Sequence, residues 1–267
     1  MKLLSIDVGI KNLAYCVLDI DSGKYTIAAW DVINLCGEPL MCNQKTKTGN
    51  CSRKAKYHKG IIHCCKICAK KTGYIIPSTS LLKAYQGKTK IQELKIIAQE
   101  HNIDIPQKSK KKEIQNCITS FIEQSALDSV KKINSSDMSL VEIGISIRNA
   151  FDNSIFQSLD TIIIENQISP IANRMKTIQG MIAQFFIMKG MEDVHFVSAS
   201  NKLKPYVKGK TTYKERKAIG ILTTQKLIHD NEDISLWNKH FSKHSKKDDL
   251  ADSFLQGLWY MNKNRII

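Results

Sequence analysis

Apolar residues near the N-terminus fall into short, nearly continuous runs separated by polar turns. The first run covers residues 3–8 and ends at a glycine, which is typical of a short buried strand. Two further runs follow at 12–18 and 25–33. The pattern predicts a meander of three strands with Asp7 at the tip of the first. An Asp at a strand end also commonly starts a turn, so this stretch alone leaves its role open.

The C-terminal half alternates strand and helix patterns. Residues 159–167 contain three consecutive Ile before Glu165, which favours a central strand buried on both faces. A further short strand is expected at 194–197. Helix-spaced apolar residues predict helices at 140–151, 170–190, 213–229 and 246–259. We therefore expect an α/β fold.

A Cys-rich segment from Cys42 to Tyr74 interrupts this pattern and holds five of the eight cysteines. Its spacing C-x8-C-x13-C-x2-C lets two knuckles surround a tetrahedral Zn²⁺. The predicted ligands are Cys42, Cys51, Cys65 and Cys68, with His63 and Cys64 as substitutes. Four protein ligands leave no open position, so the ion would be structural and would fold an insert at 41–76. Buried cysteines without metal are the alternative.

A helical insert is predicted at 77–129. Two amphipathic stretches flank the extended sequence "IDIP" and a lysine-rich loop. Helix, extended segment, basic loop and helix resemble the SAP motif, a small DNA-binding module, over residues 88–124. The DNA-contacting residues expected in the loop are Lys108, Lys110, Lys111 and Lys112. An ordinary helical hairpin with a solvated charge run is the alternative.

Charge and composition favour a polyanionic partner. The 267 residues include 40 Lys and Arg against 25 Asp and Glu, a net charge of +15. Such an excess favours nucleic acid. No apolar run approaches the roughly 18 residues of a membrane span, and no signal peptide is evident, so we expect an intracellular protein without disulfides. Further DNA contacts are expected at Arg174, Lys176, Lys204, Lys208, Lys210 and Lys214, although such residues are often only solvated.

Four carboxylates recur at the ends of predicted elements. Asp7 and Glu165 end strands, and Asp249 and Asp252 lie one turn apart on the last helix; Asp248 with Asp252 is an almost equally good pair. Clustered carboxylates repel one another unless cations neutralise them, and oxygen ligands suit Mg²⁺ or Mn²⁺. Two such ions about 3.5–4 Å apart activate water and stabilise the leaving oxygen of a phosphodiester. In a basic protein this predicts a nuclease.

The stretches "LLSIDVGIKNLAYCVLD", "TIIIENQ", "VSASNKLK" and "KKDDLADS" resemble RuvC-type Holliday junction resolvases of the RNase H-like superfamily. The most similar subgroups are the poxvirus-type resolvases of large DNA viruses and the fungal mitochondrial resolvases, some of which carry a SAP-like segment. The resemblance covers about 1–40 and 130–267. It implies an RNase H-like core over those residues, in which helices flank a mixed central sheet. It also implies a homodimer that makes paired nicks in four-way DNA junctions.

The resemblance also implies roles for individual residues. It places Asp7, Glu165, Asp249 and Asp252 on an acidic tetrad that binds two Mg²⁺ (or Mn²⁺). A catalytic lysine would be Lys217, with Lys214 as the alternative. A viral resolvase would act in the cytoplasm or nucleus of the host cell during viral DNA replication.

Three other functions share features with this sequence. An actin-like sugar kinase or ATPase also has Asp-x-Gly after its first strand, but it needs a second Gly-rich phosphate loop that this sequence lacks. A non-catalytic DNA-binding protein on the same scaffold would tolerate loss of an acid, yet all four are present. An RNase H-like nuclease acting on other branched DNA or on an RNA–DNA hybrid remains the main alternative.

Overall fold

The computed structural model describes residues 1–47, 49–131, 134–167, 173–207 and 209–267. The chain divides into two compact units, one of residues 1–37 and 133–267 and one of residues 38–132. Within the described part of the chain, every helix is too short or too polar to cross a membrane.

The strands are β1 (Lys2–Asp7), β2 (Leu13–Asp21), β3 (Lys24–Ile33), β4 (Lys45–Thr46), β5 (Gly49–Asn50), β6 (Tyr57–Lys59), β7 (Ile62–Cys64), β8 (Asp128–Ser129), β9 (Thr161–Asn166) and β10 (Val194–Ser198). The helices are α1 (Lys66–Ala69), α2 (Thr79–Tyr85), α3 (Ile91–Glu100), α4 (Lys111–Ser125), α5 (Leu140–Phe151), α6 (Asn173–Met188), α7 (Tyr213–Asp230), α8 (Asn238–Lys243) and α9 (Lys247–Lys263).

A five-stranded mixed sheet forms the centre of the first unit, in the order β10-β9-β1-β2-β3. The first three strands are antiparallel, which confirms the predicted meander. β9 and β10 run parallel to β1. The three consecutive Ile of β9 are at most 1% exposed, as expected for a central strand. The parallel arrangement brings the C-terminal ends of β1, β9 and β10 to the same edge of the sheet.

Helices cover both faces of this sheet. Leu4 and Ile6 point to one face, where α5 and α6 pack, while Leu3 and Leu18 contribute to the other, where α7, α8 and α9 pack. The alternation follows from the two-residue repeat of a strand. The central strands β1, β2 and β9 are therefore buried on both sides, whereas the edge strands β3 and β10 carry exposed residues along their length.

Helix α9 lies unusually close to the sheet. A Cβ on Gly257 would stand 2.6 Å from Leu18 Cδ1 and 3.4 Å from Ser5 Cβ, so a larger residue here would require the Leu18 side chain to shift. One residue earlier, Gln256 Nε2 donates to Ser5 Oγ at 3.2 Å and to the carbonyl of Ile6 at 3.1 Å. These contacts hold the middle of α9 against β1 and β2, and Asp252 lies one turn earlier on the same helix.

The second unit combines a small sheet with a helical module. Its sheet has the order β7-β6-β8, and β4 pairs with β5. Helices α2, α3 and α4 share a core of Leu81, Leu94, Ile97, Ile114, Ile118 and Ile122. The two helices expected around the basic loop are confirmed as α3 and α4. The sequence missed α2, which begins at the N-cap Ser78, whose Oγ accepts from the Leu81 amide at 3.2 Å.

The helix predicted at 170–190 corresponds to α6 in the described residues, and its predicted start at Pro170 lies outside them. The chain leaves the helix at Gly190, whose φ of +83° is a left-handed conformation that favours glycine. The sequence also missed α8, which is too short to show helical periodicity.

Candidate active site and zinc centre

Three of the four predicted acids surround a single ammonium group. Lys202 Nζ lies 2.9 Å from Asp252 Oδ2, 3.3 Å from Glu165 Oε1 and 3.6 Å from Asp7 Oδ1. The lysine is buried, as are most of the atoms of the three carboxylates. The group lines a cleft of about 720 Å³ that also contains Asp249 and Lys217.

The fold explains how residues far apart in sequence meet here. Asp7 ends β1, and the parallel register Ile6–Ile164 places Glu165 beside it on β9. β10 pairs with β9 through Val197 and Glu165, and the turn after β10 carries Lys202. The docking of α9 described above adds Asp252. Each residue therefore reaches the site from a strand, a helix or a turn that the core holds in place.

Asp249 occupies a second position in the cleft. Its Oδ2 lies 4.0 Å from Lys246 Nζ and, among the residues that the structure describes, accepts no hydrogen bond. A buried carboxylate oxygen without a donor is costly unless a cation approaches it. This donor chemistry fits a hard divalent ion.

Asp248 and Lys217 form a separate ion pair, in which the Lys217 ammonium donates to Asp248 Oδ2. Lys217 Nζ also lies 5.2 Å from the centre of the Tyr213 ring. Burial favours a higher pKa for Asp248, but Lys217 holds the pKa of this carboxyl below its usual range. Asp249 rather than Asp248 lines the cleft, although the sequence had left these two residues almost equivalent.

The electrostatics of the acids differ. Burial raises the pKa of Asp7 to about 7; Lys202 opposes this rise and Glu165 adds to it. Burial, Asp248 and Asp7 raise the pKa of Asp249 to about 6, against Lys217 and Lys246. Burial also raises the pKa of Asp252, and Lys202 again opposes it. The cluster therefore holds more negative charge than one lysine neutralises.

These shifts predict a pH-dependent response to Mg²⁺. Because the folded-state pKa values of Asp7 and Asp249 are raised, their contribution to folding stability without metal is full below about pH 4. It declines as the pH rises and is lost above about pH 6 for Asp249 and pH 7 for Asp7. Metal ligands must be deprotonated, so Mg²⁺ binding strengthens over the same range. We expect the increase in Tm caused by Mg²⁺ to be small below pH 6 and to grow above pH 7 in thermal unfolding. A Tm increase independent of pH would contradict this assignment.

The sequence missed Lys202, although it lies within the motif "VSASNKLK". Lys204, also expected to contact DNA, is exposed and lines the same cleft, while Lys176, Lys210 and Lys214 are exposed. Lys208 lies outside the described residues. Lys108 and Lys110 lie between α3 and α4, Lys111 and Lys112 begin α4, and all four are exposed.

Arg174 differs from these lysines because its guanidinium group is hydrogen-bonded to backbone carbonyls of the same chain. It donates to the carbonyls of Ser135 at 2.8 Å, Ser136 at 3.2 Å and Met138. These carbonyls belong to the segment that leads into α5. The structure thus gives this arginine a fold-stabilising contact where the sequence predicted a phosphate contact.

The four cysteines predicted to bind zinc come together in the second unit. The sulfur atoms of Cys42, Cys51, Cys65 and Cys68 all lie within 4.8 Å of one another, and all four residues are buried. Cys51 Sγ and Cys65 Sγ are 3.9 Å apart. Zn–S bonds of about 2.3 Å in a tetrahedron place sulfurs about 3.8 Å apart, so the cluster fits this ion. Cys64, a substitute in the sequence interpretation, instead packs with Ala69 and Leu127.

The chain shares features with several known proteins. An uncharacterized protein of Acanthamoeba polyphaga mimivirus is 25% identical over 332 residues, covering 98% of this chain and 74% of that protein. The fowlpox virus Holliday junction resolvase is 16% identical, with 99% of each chain covered and a TM-score of 0.47. The yeast mitochondrial Holliday junction resolvase Ydc2 is 14% identical, with 97% of this chain and 78% of that chain covered and a TM-score of 0.37.

Two family models match the chain. Residues 3–116 match the family described as mitochondrial resolvase Ydc2 / RNA splicing MRS1. Residues 103–264 match the family described as Poxvirus A22 protein. The second match spans more than half of the chain and includes Glu165, Asp249 and Asp252, which confirms the resemblance inferred from the sequence. The chain belongs to the Poxvirus A22 protein family.

Proposed function

We propose that the protein is a Holliday junction resolvase that cuts four-way DNA junctions by metal-dependent phosphodiester hydrolysis. The observation that carries the proposal is the convergence of four acids, Asp7, Glu165, Asp249 and Asp252, in one cleft of a Poxvirus A22 family member. The sheet order β10-β9-β1-β2-β3, an antiparallel meander continued by two parallel strands, supports an RNase H-like fold for the first unit.

The four acids would hold two Mg²⁺ (or Mn²⁺). When bound, such ions lower the pKa of an attacking water and stabilise the charge on the phosphate. The chain's own part is to fix these carboxylates from rigid strand ends and from the docked helix α9. We propose Lys202 rather than Lys217 as the active-site lysine. Its ammonium lies against three of the acids, whereas Lys217 is paired with Asp248.

We also propose that Cys42, Cys51, Cys65 and Cys68 hold a structural Zn²⁺. The 3.9 Å sulfur separation and the Cys68 amide that donates to Cys65 Sγ at 3.4 Å support this. Amide donation to a thiolate offsets its charge, as metal-bound sulfur requires.

We propose that the second unit supplies most of the DNA affinity. Residues 38–132 contain 19 Lys and Arg against 7 Asp and Glu, a net charge of +12 out of +15 for the chain. The first unit therefore carries little net charge in spite of its basic loop. Phosphate binding releases counterions, and the binding affinity grows with the number of cationic contacts. The second unit would therefore bind the DNA, and the first unit would cleave it.

Replacing Lys108, Lys110, Lys111 and Lys112 with Gln is expected to weaken junction binding by about 10–100-fold and to reduce its salt dependence. Fluorescence anisotropy over a salt series measures both. Single-turnover cleavage at saturating protein should change little, because the acids are untouched. A control matched in charge replaces Lys83, Lys88, Lys90 and Lys95 with Gln; these are four exposed lysines of the same helical module outside residues 108–112. Equal losses in both variants would contradict a specific role for the loop.

The function is tested by incubating the protein and Mg²⁺ with a mobile four-way junction, a linear duplex and an RNA–DNA hybrid. We expect paired nicks in the junction only. A homodimer would supply the two active sites that paired nicks require, and light scattering with the bound junction measures this stoichiometry. Cleavage of the hybrid or of other branched DNA in preference to the junction would favour the alternative nuclease, and equal cleavage of all substrates would contradict the proposal.

A further inference from the structure

We infer that the Lys202 ammonium and one of the two metal ions occupy the same position in turn, so that metal binding displaces the lysine into the cleft. This inference rests on the proposed function. The ammonium is within 3.6 Å of an oxygen from each of Asp7, Glu165 and Asp252, and only 10% of the side chain is exposed. The lysine thus serves as the resident counter-ion of the acid cluster.

The two cations exclude one another for geometric reasons. A Mg²⁺ bound by these carboxylates requires oxygens about 2.1 Å away, closer than an ammonium at hydrogen-bonding distance. It would therefore stand within the space that Nζ occupies. Repulsion between the two positive charges in a partly buried cleft adds to the overlap.

The surrounding chain permits the displacement. The neighbouring Leu203 is buried in the core with Leu250 and Leu255, which fixes the backbone at this turn. The lysine side chain has a flexible four-carbon stem, so Nζ can move while the backbone remains in place. The cleft of about 720 Å³ gives it room, and the exposed Lys204 and Arg216 also line this space.

The displaced ammonium would face the substrate side of the cleft. There a DNA phosphate is the natural new partner, because phosphate oxygens accept from ammonium donors. Metal binding and phosphate binding would then strengthen each other. The metal ion would free the Lys202 ammonium from the carboxylates, and the phosphate would give that ammonium a new partner. This coupling is reciprocal by thermodynamic necessity.

Amine acylation followed by mass spectrometry tests the displacement directly in the wild-type protein. Without metal, the buried and paired Lys202 should react slowly. We expect its acylation rate to rise about tenfold or more when Mg²⁺ is added, since exposure and loss of the ion pairs both favour reaction. The Mg²⁺ concentration at the midpoint of this increase in acylation rate should match the concentration at the midpoint of the Tm increase. Lys189, paired with Asp152 outside the cleft, serves as the internal reference.

A second measurement uses Lys202→Met, which keeps the length of the stem and removes the charge. Mg²⁺ affinity should increase by about tenfold when the competing cation is removed. Lys204→Met, an exposed lysine of the same cleft, controls for loss of positive charge in general and should change Mg²⁺ affinity by less than about threefold. Isothermal titration calorimetry measures both in the absence of DNA.

These measurements distinguish a failure of the lysine displacement from a failure of the proposed metal-dependent function. If Mg²⁺ raises Tm but leaves Lys202 acylation unchanged, the displacement is wrong while the metal-dependent nuclease stands. An equal gain in Mg²⁺ affinity in Lys202→Met and Lys204→Met also overturns the displacement. If Mg²⁺ and Mn²⁺ produce neither a Tm increase nor calorimetric heat, the proposed metal-dependent function itself fails.

Discussion

Substituting Asp7 with Asn is expected to reduce junction cleavage by about 10³-fold or more while leaving junction affinity within about threefold. Asp7 lies at the centre of the cluster, close to Lys202 and electrostatically coupled to Glu165, Asp249 and Asp252. Asn preserves the size of the side chain but removes the negative charge that a divalent ion needs. Because most of the net positive charge belongs to the second unit, DNA binding should persist. Single-turnover cleavage and anisotropy measure the two effects separately.

Asp21→Asn is the matched control. Asp21 ends β2 at the opposite end of the sheet from Asp7, as the antiparallel pairing of the two strands shows, and its side chain is exposed. The control should cleave within about twofold of wild type, since surface substitutions of this kind change little. If Asp7→Asn retains cleavage within tenfold of the control, Asp7 is not a metal ligand. If it loses DNA binding as well as cleavage, the proposal that the second unit binds DNA and the first unit cleaves it is wrong.

The sequence predicted the elements that carry the acids because their signals are local. The first and third strands of the meander and β9 each appear as a continuous or alternating apolar run. The spacing of Asp249 and Asp252 on a helix follows from the helical repeat alone. Asp7 and Glu165 each follow an apolar run and were predicted at strand ends, but the parallel pairing that brings those ends together is seen only in the structure.

No comparable local pattern in the sequence indicated the role of Lys202. Its three partners are distant in sequence and come from three different elements, and Lys202 itself lies in a turn after β10 among several other lysines. The one local signal is its position four residues after a strand that is parallel to β9. Only the strand order shows that this turn lies at the same sheet edge as the acids.

The contact of Arg174 illustrates a second limit of sequence interpretation. A basic residue in the first turn of a helix looks available for phosphate, but here it satisfies three backbone carbonyls of the segment before α5. Those carbonyls belong to an irregular connector, and sequence patterns do not indicate which distant donor such groups will find. Backbone groups of this kind must nevertheless be satisfied.

Cys65→Ser is expected to remove the zinc ion and to unfold the segment from Cys42 to Tyr74 while the first unit stays folded. Structural zinc contributes about 10–16 kcal/mol to folding in small zinc-binding peptides, so a site with a missing thiolate should no longer hold this segment together. Four buried thiols are a poor substitute for a hydrophobic core in a stretch with strands of only two or three residues. Metal analysis and limited proteolysis measure the loss of zinc and the exposure of the segment.

Two cysteines of the same unit provide matched controls. Cys117 lies half-buried on α4 outside the cluster, so Cys117→Ser should keep stoichiometric zinc and resist proteolysis like wild type. Cys64→Ser is more demanding, because Cys64 adjoins Cys65 and had been considered a substitute ligand. It packs against Ala69 and Leu127, so we expect retained zinc with a stability loss of about 1–2 kcal/mol from burying a hydroxyl. Zinc loss in Cys64→Ser, or full zinc in Cys65→Ser, would show that the ligands are not the four sulfurs that the structure brings together.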